Sequence, residues 1–570
     1  MKITVARTAG FCMGVRRAVE LAIDASNNSS GPLYTYGPLI HNPQVLEVLA
    51  QKGITTINEI PDNDKGTILI RAHGIPPKEE KALSSAGFKI INATCPRVVM
   101  VQSIIKKYAK QGHTILIIGD KNHPEVKGLM GYAHNKGHTV SSMKELERLP
   151  AFDQAAIVAQ TTQDTTFFED VKSWVEKNHP HYKTFNTICN STEKRQMEAR
   201  KIADKNDAII VLGGKESGNT KRLFKIVSKT GKKTFQIEDI SELDMSSLSQ
   251  VQSVAITAGA STPNWIISKA FREIEKNLQK KNKISHFFYR MRDFLLHTNI
   301  MLASGAGSMA YACSKIQNFE NISIHAAIAF FYILSMQVMN NLFAIKSDQY
   351  NNPDRANMYK KHYNSFGLTT CIFGATGLFL SFRTDITCFS LLFIMSILGL
   401  SYNIKIIPRF LKIKKIKRIK DIPGAKTVLI AMAWGVVTSI LPAISNSGNA
   451  FSAFITFIFS AGLVFVTTAL LDILGMQGDR ITGRETVPIL IGEKASIKII
   501  KQILIAISML LIIASLLRII HNLGFFLVIL PLLMLYITLV IEKEDIKSRM
   551  KFRFIIEFNY IIAGIIAGII

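Results

Sequence analysis

The sequence predicts two domains of different fold class. The first is a three-lobed α/β domain with pseudo-threefold symmetry at residues 1–282, and the second is an all-α membrane domain of about nine transmembrane helices at residues 283–570. A chain of 570 residues is too long for one ordinary hydrophobic core. In the first half, short apolar runs alternate with helix-like segments, whereas beyond about residue 290 apolar runs of 16 to 22 residues recur. Runs of that length can cross a bilayer as helices.

The first half repeats one pattern around three of the six cysteines of the chain. Cys95 and Cys189 each end the motif aromatic–Lys–x–x–Asn–x–x–Cys, and each is followed by a helix-like segment and then a strand. These strands end in Gly119 and Gly213, 24 residues after the cysteine in both cases. Cys12 follows the same plan more loosely. One unit repeated three times predicts three similar lobes.

Polar side chains follow the predicted strands in all three units. Short, fully apolar strands that alternate with helices are typical of parallel sheets covered on both faces. Ligands bind such sheets beyond the carboxyl ends of the strands, so we expect each lobe to supply one cysteine and a pair of polar residues to a central site. Imidazole, hydroxyl and amide donors of this kind suit a phosphate group. The polar residues are His41, His73, His123, Thr162, Ser217, Asn219 and Ser261.

Three cysteines beside such a pocket leave more than one interpretation open. A single cysteine after a strand is usually a small buried hydrophobe, and His123 and Glu125 could serve only to cap and charge a helix start. Matched positions in three units argue against core packing alone. Structural zinc usually takes four protein ligands, and catalytic zinc favours nitrogen or oxygen among its ligands. Thiolates are the usual ligands of Fe–S clusters, and three of them leave one of four irons open for a substrate.

Nine short motifs follow one another in the first 275 residues. They lie at residues 11–15 (FCMGV), 37–42 (GPLIHN), 71–74 (RAHG), 93–96 (ATCP), 123–126 (HPEV), 160–162 (QTT), 187–190 (TICN), 217–219 (SGN) and 261–263 (STP). Together they resemble the motifs of 4-hydroxy-3-methylbut-2-enyl diphosphate reductase, the IspH or LytB family. Their number and order make this resemblance specific. It implies an oxidoreductase of the non-mevalonate route to isoprenoid precursors.

The resemblance implies a 4Fe–4S cluster held by Cys12, Cys95 and Cys189, with the fourth iron binding the hydroxyl oxygen of the substrate. Two one-electron transfers and protonation then remove that hydroxyl as water, which gives isopentenyl and dimethylallyl diphosphates. Glu125 would supply or relay the protons, and Thr162 would hydrogen-bond the hydroxyl. The electrons would come from a donor such as ferredoxin or flavodoxin.

The resemblance also implies a set of residues that bind the diphosphate of the substrate. One of them departs from the family pattern, because Gly218 stands where many members have serine. The backbone N–H of Gly218 can still donate a hydrogen bond, so the departure removes at most one side-chain contact. The implied diphosphate-binding residues are His41, His73, His123, Ser217, Gly218, Asn219 and Ser261.

The second half carries motifs of another family at residues 340–348, 402–405, 421–424 and 477–488. These motifs resemble the UbiA prenyltransferase family. The resemblance implies an enzyme that binds an isoprenoid diphosphate through Mg²⁺ held by two Asp-rich motifs and then alkylates an aromatic or lipid acceptor. Carboxylates suit this task because hard Mg²⁺ bridges Asp oxygens to diphosphate oxygens.

Both Asp-rich motifs depart from the pattern, since Ala344 and Gly475 stand where aspartates are expected. Asp348 and Asp472 lie about one helical turn from those positions and could still face the cavity. Two interpretations therefore stay open, a working transferase and a non-catalytic anchor for the reductase. Carboxylates at the ends of membrane helices favour the enzyme. The candidate Mg²⁺ and prenyl diphosphate ligands are Asn340, Asp348, Lys405, Asp472, Asp479 and Arg484.

The net charge of +26 is unevenly distributed along the chain. This distribution predicts the membrane topology and does not indicate a nucleic-acid partner. Basic residues crowd the loops on one side of the predicted bundle, whereas the opposite loops hold little beyond Lys315 and Arg383. The N-terminus shows no apolar segment of a secretory signal. We therefore predict a multi-pass protein of the cytoplasmic membrane, in contact with its lipid bilayer, with the reductase domain in the cytoplasm. There the cysteines would stay reduced.

Overall fold

A computed structural model of the protein describes residues 2–28, 31–61, 66–279, 283–320, 322–402, 424–543 and 549–570. The chain divides into two units, Met1–Leu278 and Gln279–Ile570.

Three four-stranded sheets, all parallel, form the first unit. In spatial order, the first sheet contains β1 (Lys2–Val5), β12 (Ser253–Ala258), β10 (Ala208–Leu212) and β11 (Lys233–Ile237); the second contains β3 (Ile54–Ile57), β2 (Leu33–Tyr36), β4 (Thr67–Ile70) and β5 (Lys89–Asn92); the third contains β7 (Gly137–Val140), β6 (Thr114–Ile118), β8 (Ala155–Ala159) and β9 (Lys183–Phe185). Every residue of β8 and of β10 is apolar and buried. The three-lobed α/β fold that the sequence predicts is confirmed.

The three sheets share one topology, and in each the same edge strand leads to a cysteine. β5 and β9 are the edge strands that precede Cys95 and Cys189. The equivalent strand of the first sheet is β1, which pairs with β12 in register from Lys2 opposite Ser253 to Val5 opposite Ile256. The N-terminal strand therefore completes the sheet whose other three strands are the last three of this unit, and it leads to Cys12.

Helices cover the sheets of the first unit, and several begin where the sequence offers a cap. Asn42 and His123 each accept a hydrogen bond from a backbone N–H of the helix that follows, and a proline occupies the first position of both helices. The helices are α1 (Met13–Asn28), α2 (Pro43–Gln51), α3 (Pro77–Ser85), α4 (Pro96–Lys110), α5 (Pro124–Met130), α6 (Met143–Glu147), α7 (Thr165–Asn178), α8 (Asn190–Asp204), α9 (Gly218–Ser228) and α10 (Asn264–Gln279), with 3₁₀ turns at Ile240–Glu242 and Met245–Leu248.

The described part of the second unit is built from helices around one large apolar core. A π-helical turn, Val436–Ile440, joins α17 to α18. The helices are α11 (Lys283–His297), α12 (Ile300–Ile316), α13 (Ile322–Asn351), α14 (Pro353–Lys361), α15 (Tyr363–Thr384), α16 (Ile386–Ser401), α17 (Ala425–Gly435), α18 (Leu441–Ser445), α19 (Ala450–Ile481), α20 (Val487–Ile491), α21 (Glu493–Leu516), α22 (Leu523–Leu527), α23 (Ile529–Lys543) and α24 (Arg549–Ile569).

The predicted count of nine transmembrane helices is not confirmed. Within the described ranges, seven helical segments are long and apolar enough to cross a membrane. Two of the nine apolar runs that the sequence predicts as spans, at about 295–314 and 386–402, coincide with α12 and α16, which have only 17 and 16 residues. A hydrocarbon core about 30 Å thick calls for roughly 20 apolar residues in one helix, so these two helices are short for a complete crossing. The seven segments are Ile322–Asn351, Tyr363–Thr384, Ala425–Ser445, Ala450–Ile481, Glu493–Leu516, Leu523–Lys543 and Phe552–Ile569.

Candidate active site

The three predicted cysteine ligands occupy equivalent places in the three lobes. Each is half-buried and free, and each directly precedes a helix, namely α1, α4 or α8. The backbone N–H of each donates to the carbonyl oxygen of a residue just beyond a central strand. These pairs are Cys12 to Ala260 at 3.1 Å, Cys95 to Ala72 at 2.9 Å and Cys189 to Thr161 at 2.9 Å.

Those three carbonyl groups belong to the residues immediately before Ser261, His73 and Thr162. Each lobe therefore holds its cysteine beside one of the polar residues that the sequence singles out. The lobes also meet at this point, because a Cβ on Gly14 of α1 would lie 2.5 Å from the sulfur of Cys95. Glycine at that position lets the helix that follows the first cysteine approach the second one.

The spacing of the thiols fits a polynuclear cluster better than a single ion. Among the described residues, three or more potential ligand atoms lie within 4.8 Å of one another only at His41, His73 and His123. The three sulfurs therefore do not all lie within 4.8 Å of one another. Two sulfurs bound to one zinc ion at ~2.3 Å could be at most about 4.6 Å apart. Burial raises the pKa of Cys12 and of Cys95, so in the free protein these two groups are held as thiols.

α8 ties the loop before Cys12 to the rest of the site through a buried cation that sequence reasoning missed. Arg195 donates to the carbonyl oxygens of Ala258 at 2.7 Å and Gly10 at 3.0 Å. On the same helix, Glu198 accepts hydrogen bonds from the backbone N–H groups of residues 7 and 8. Burial lowers the pKa of Arg195 to about 10, so its charge persists at neutral pH. The one feature of the sequence that singles out Arg195 is its position six residues after Cys189.

Three imidazoles converge beyond the strand ends. The ring centroids of His41 and His73 are 4.7 Å apart, and that of His123 lies 5.8 Å and 5.3 Å from them. Burial lowers the pKa of all three side chains, that of His123 to about 3, and the positive charge of Arg71 adds to the effect. The rings are therefore neutral near pH 7. His41 Nε2 and His73 Nδ1 are buried and have no hydrogen-bond partner.

The remaining predicted diphosphate ligands line the same pocket. Ser261 Oγ donates to the carbonyl oxygen of His41 at 3.0 Å and lies 3.5 Å from Ser217 Oγ. Ser217 caps α9, and Asn219, in the first turn, has a buried Nδ2 without a partner. A Cβ on Gly218 would lie 3.3 Å from the His123 ring. Unsatisfied buried donors at a helix N-terminus are what a bound anion would satisfy.

Thr161 links the two predicted catalytic residues, because it hydrogen-bonds Glu125 and directly precedes Thr162 in the chain. Glu125 is 2% exposed, and its two carboxylate oxygens accept from the backbone N–H of Thr161 at 2.6 Å and from its hydroxyl at 2.9 Å. Burial raises the pKa of Glu125, against the opposing effect of these hydrogen bonds. The Thr162 hydroxyl accepts from Gln160 and from Arg222, both at 3.1 Å.

Arg222 is a second residue that sequence reasoning missed. It lies on α9, one turn beyond the predicted diphosphate ligands, and donates to the carbonyl oxygen of Thr162 at 2.8 Å. Its other terminal nitrogen forms an ion pair with Asp120 at 2.8 Å. Arg222 therefore connects the helix beside the anion pocket to the loop beside Glu125.

In the second unit the three predicted carboxylates are buried, and Asp348 and Asp472 each pair with a cation on a nearby residue. Asp348 accepts two hydrogen bonds from Arg355, at 2.8 Å and 3.1 Å. Asp472 accepts from the Thr427 hydroxyl at 3.0 Å and lies 3.5 Å from the ammonium of Lys426. Asp348 and Asp472 are therefore paired with two separate cations, Arg355 and Lys426.

The third carboxylate, Asp479, joins the C-terminal ends of α13 and α19. It accepts from Asn351 at 2.8 Å and lies 3.6 Å from Arg484, which also donates to Ser347. Asn340 lies about two turns before Asp348 on α13. The described carboxylates do not come within 4.8 Å of one another as a group, so they do not fit one shared Mg²⁺ site as arranged. Lys405, with residues 403–423 of the predicted motifs, lies outside the described residues.

Two family models match the chain, "LytB protein" at residues 3–275 and "UbiA prenyltransferase family" at residues 300–559. The chain is 42% identical over 279 residues to a protein named 4-hydroxy-3-methylbut-2-enyl diphosphate reductase from Caldanaerobacter subterraneus subsp. tengcongensis; the match covers 48% of this chain and 97% of that protein. A protein of the same name from Aquifex aeolicus is 40% identical over 277 residues, covering 48% of this chain and 96% of that protein.

Among solved structures, the E-1-hydroxy-2-methyl-but-2-enyl-4-diphosphate reductase from Plasmodium falciparum is 28% identical, with a TM-score of 0.47. That similarity covers 50% of this chain and 90% of the solved one. The two resemblances stated from the motifs are confirmed. The chain belongs to the LytB family through its first half, and its second half is a UbiA prenyltransferase family domain, so the whole is a multi-pass membrane protein that joins the two.

Proposed function

We propose that residues 1–282 convert 4-hydroxy-3-methylbut-2-enyl diphosphate to isopentenyl and dimethylallyl diphosphates by reductive removal of the hydroxyl group. The observation that carries the proposal is the placement of three equivalent cysteines beside a pocket of unpartnered buried donors. Curated relatives that match almost their whole length to this half are named as this reductase. Iron-loaded protein supplied with the substrate and reduced methyl viologen should form both products, and failure to form either would refute the proposal.

The cysteines Cys12, Cys95 and Cys189 would hold a 4Fe–4S cluster, which when bound supplies single electrons and a Lewis-acidic iron. The chain itself must bind and orient the substrate. His41, His73 and Asn219 would hold the diphosphate through the side-chain nitrogens that are unpartnered in the free pocket, and His123 would lie beside them. The histidine rings are half-buried, and the lower local dielectric of such a pocket strengthens each hydrogen bond to the anion.

Glu125 would deliver the proton that leaves with the hydroxyl as water. Its burial favours the protonated acid, and Thr161 holds both carboxyl oxygens in place. Thr162, which Arg222 and Gln160 orient, would hydrogen-bond the hydroxyl of the substrate. An acid with a raised pKa can protonate a leaving group near neutral pH.

Substrate binding is expected to take up protons. Since burial keeps His41, His73 and His123 neutral in the free protein, the arriving diphosphate should raise their pKa values and bring protons in. Affinity should therefore rise as pH falls from about 8 to about 6. Calorimetry in buffers of different ionisation enthalpy measures the uptake. His123→Asn should reduce it, and His138→Asn, on the surface, should not; equal uptake in both variants would remove His123 from the anion site.

The three histidines also suggest a second candidate, a single metal site. Their ligand nitrogens all lie within 4.8 Å of one another, and three imidazoles can bind zinc. Elemental analysis separates the two candidates. Stoichiometric zinc that is lost in His123→Asn would assign a metal to this group, whereas zinc-free protein with intact substrate affinity supports the anion pocket.

We propose that the second unit transfers a prenyl group from an isoprenoid diphosphate to a lipid or aromatic acceptor. The supporting observation is the arrangement of Asp479, Asn351 and Arg484, which holds a guanidinium group at the ends of two long helices. Guanidinium groups bind diphosphate through paired hydrogen bonds. The described carboxylates are paired with cations and do not form one shared Mg²⁺ site; a Mg²⁺ requirement stays a prediction, which transfer assays with Mg²⁺ and with EDTA test. The distribution of basic loops supports a cytoplasmic location of the reductase unit as part of this proposal.

Asp479→Ala should lower prenyl transfer about 10- to 100-fold, the usual effect of removing a residue that orients a ligand-binding group. Reductase activity of the same polypeptide should not change, because the two sites are built from residues of separate units. The assay feeds membranes labelled prenyl diphosphates and candidate acceptors. Unchanged transfer in Asp479→Ala would exclude this site. Wild-type membranes that bind no prenyl diphosphate would instead favour the anchor interpretation.

A further inference from the structure

The first helix of the second unit, α11, carries large apolar side chains on its exposed side. It is not among the seven segments that are long and apolar enough to cross a membrane. Five of its apolar side chains are nevertheless between 42% and 70% exposed, namely those of Ile284, Phe287, Phe288, Met291 and Phe294. They recur at intervals of three and four residues, which places them on one face of the helix. We call this face the α11 stripe.

The opposite side of α11 is more polar and is turned toward the protein. His286, Tyr289 and Asp293 are half-buried, and Leu296 is fully buried. Arg292 lies over the ring of Tyr289 at 4.6 Å and pairs with Asp293 at 3.2 Å. A surface helix of a water-soluble protein turns its apolar side inward. The orientation of α11 is the reverse, and it fits an apolar phase outside the protein.

The C-terminal end of α11 packs on a helix that is itself expected to contact lipid. Leu296 and Met301 form a small buried cluster, against which Leu295 of α11 and Phe554 of α24 pack. α24 contains the last of the seven candidate spans. On its surface, Phe558 stacks with Phe554 and is 40% exposed, as is usual for a residue that faces lipid. A bilayer that surrounds α24 therefore lies close to α11 as well.

Cations border the α11 stripe on both sides. Since successive residues of a helix are about 100° apart, Lys283 and Arg290 fall on one edge of the stripe and Arg292 on the other. Lys283 and Arg290 are exposed. An apolar face bordered by lysine and arginine is typical of a helix that lies in the plane of a membrane surface. The length of α11, about 22 Å at 1.5 Å per residue, is too short for a crossing.

We propose that α11 is an interfacial helix that binds the surface of an anionic bilayer through the α11 stripe. Its apolar side chains enter the boundary between headgroups and acyl chains, and Lys283 and Arg290 contact lipid phosphates. A second copy of the chain is a poorer occupant, because two stripes packed together would bring their bordering cations close to one another, whereas lipid phosphates complement them. This inference goes beyond both proposed activities and does not depend on either.

Photo-crosslinking from single positions of the full-length protein tests the proposal. The photoreactive residue p-benzoylphenylalanine replaces Phe288 on the stripe or, as the matched control, His286 on the opposite side of the same helix. The protein is reconstituted in vesicles of phosphatidylcholine with a minority of phosphatidylglycerol. Lipid adducts from position 288 should exceed those from position 286 at least about tenfold, because a phenyl side chain strongly prefers an apolar phase. The same probe at Phe294 repeats the test if the first variant does not fold.

The bordering cations add a prediction about which lipid is captured. Phosphatidylglycerol should appear in the adducts from position 288 about twofold or more above its share of the mixture, and added salt should reduce that excess. Arg290→Gln in the protein that carries the probe should reduce the excess as well. Its control is Arg383→Gln, since Arg383 is exposed in the last turn of α15 and lies in the predicted loops of the opposite side. That variant should keep the excess.

Several outcomes would overturn the inference. Adducts between two chains from positions 288 and 294, in place of lipid adducts, would assign the stripe to a second copy of the protein. Adducts to another segment of the same chain would assign it to packing within the protein. Equal lipid adducts from positions 288 and 286 would refute the one-sided orientation of α11, and adducts without an excess of phosphatidylglycerol would refute the contact between cations and lipid phosphates.

Discussion

Cys95→Ser is expected to remove most of the iron from anaerobically purified protein and to abolish reductase activity. Wild-type protein should be brown and carry about four irons per chain. Serine preserves the shape of the site but replaces a soft thiolate with a hydroxyl, a poor ligand for iron in such clusters. Because only three cysteines surround the site, the two that remain cannot hold the same cluster.

Iron and inorganic sulfide analysis, with the visible spectrum, measures this result. Cys371→Ser is the matched control, since Cys371 is free and exposed on α15 in the second unit. It should keep iron and activity at wild-type levels. Stoichiometric zinc without iron in intact wild-type protein would contradict the proposed cluster, and so would full iron content in Cys95→Ser.

Glu125→Gln should keep the cluster and the affinity for substrate, yet lower turnover at least about 10²-fold, the usual effect of removing a positioned proton donor. The amide has nearly the same shape, and its oxygen can still accept from the backbone N–H of Thr161. What it lacks is a proton that can be transferred. Single-turnover rates, iron content and substrate affinity measured together distinguish lost chemistry from lost binding.

The pH profile adds a readout that is specific to this role. Burial raises the pKa of Glu125, so the acid keeps its proton to higher pH than an exposed glutamate. The wild-type rate should fall as pH rises through that pKa, and Glu125→Gln should lose this dependence. Glu147→Gln, exposed on α6, should behave as wild type. Full activity in Glu125→Gln would remove Glu125 from the proton path.

Sequence alone identified the three lobes and the residues that belong together in the reductase half. This was possible because the signals are local and repeated. Each unit carries a cysteine before a helix, apolar runs of strand length and polar residues at the strand ends, and in parallel sheets those ends meet at one edge. The residues His41, His73 and His123 were expected together on that ground, and their rings lie within 5.8 Å of one another.

Long-range contacts were decided only by the tertiary structure. No local pattern indicates that β1 pairs with β12 some 250 residues later, or that Arg195 binds the carbonyl group of Gly10. A buried arginine that joins two loops leaves no recurring pattern in the sequence, because its partners are backbone carbonyl groups, which every residue has. The count of membrane spans also depended on the structure, since hydropathy marks apolar runs, whereas the helix ends set the length of α12 and α16.

The second unit shows the same division most clearly. The sequence determined that Asp348, Asp472 and Asp479 lie near the ends of apolar helices. Which group each carboxylate faces depends on how the helices rotate and cross, and a difference of one residue turns a side chain by about 100° around the axis. Only the folded chain decided that Arg355, Lys426 and Arg484 each lie beside one of these carboxylates. Spacing along a helix specifies a face, but the neighbouring helix determines what that face meets.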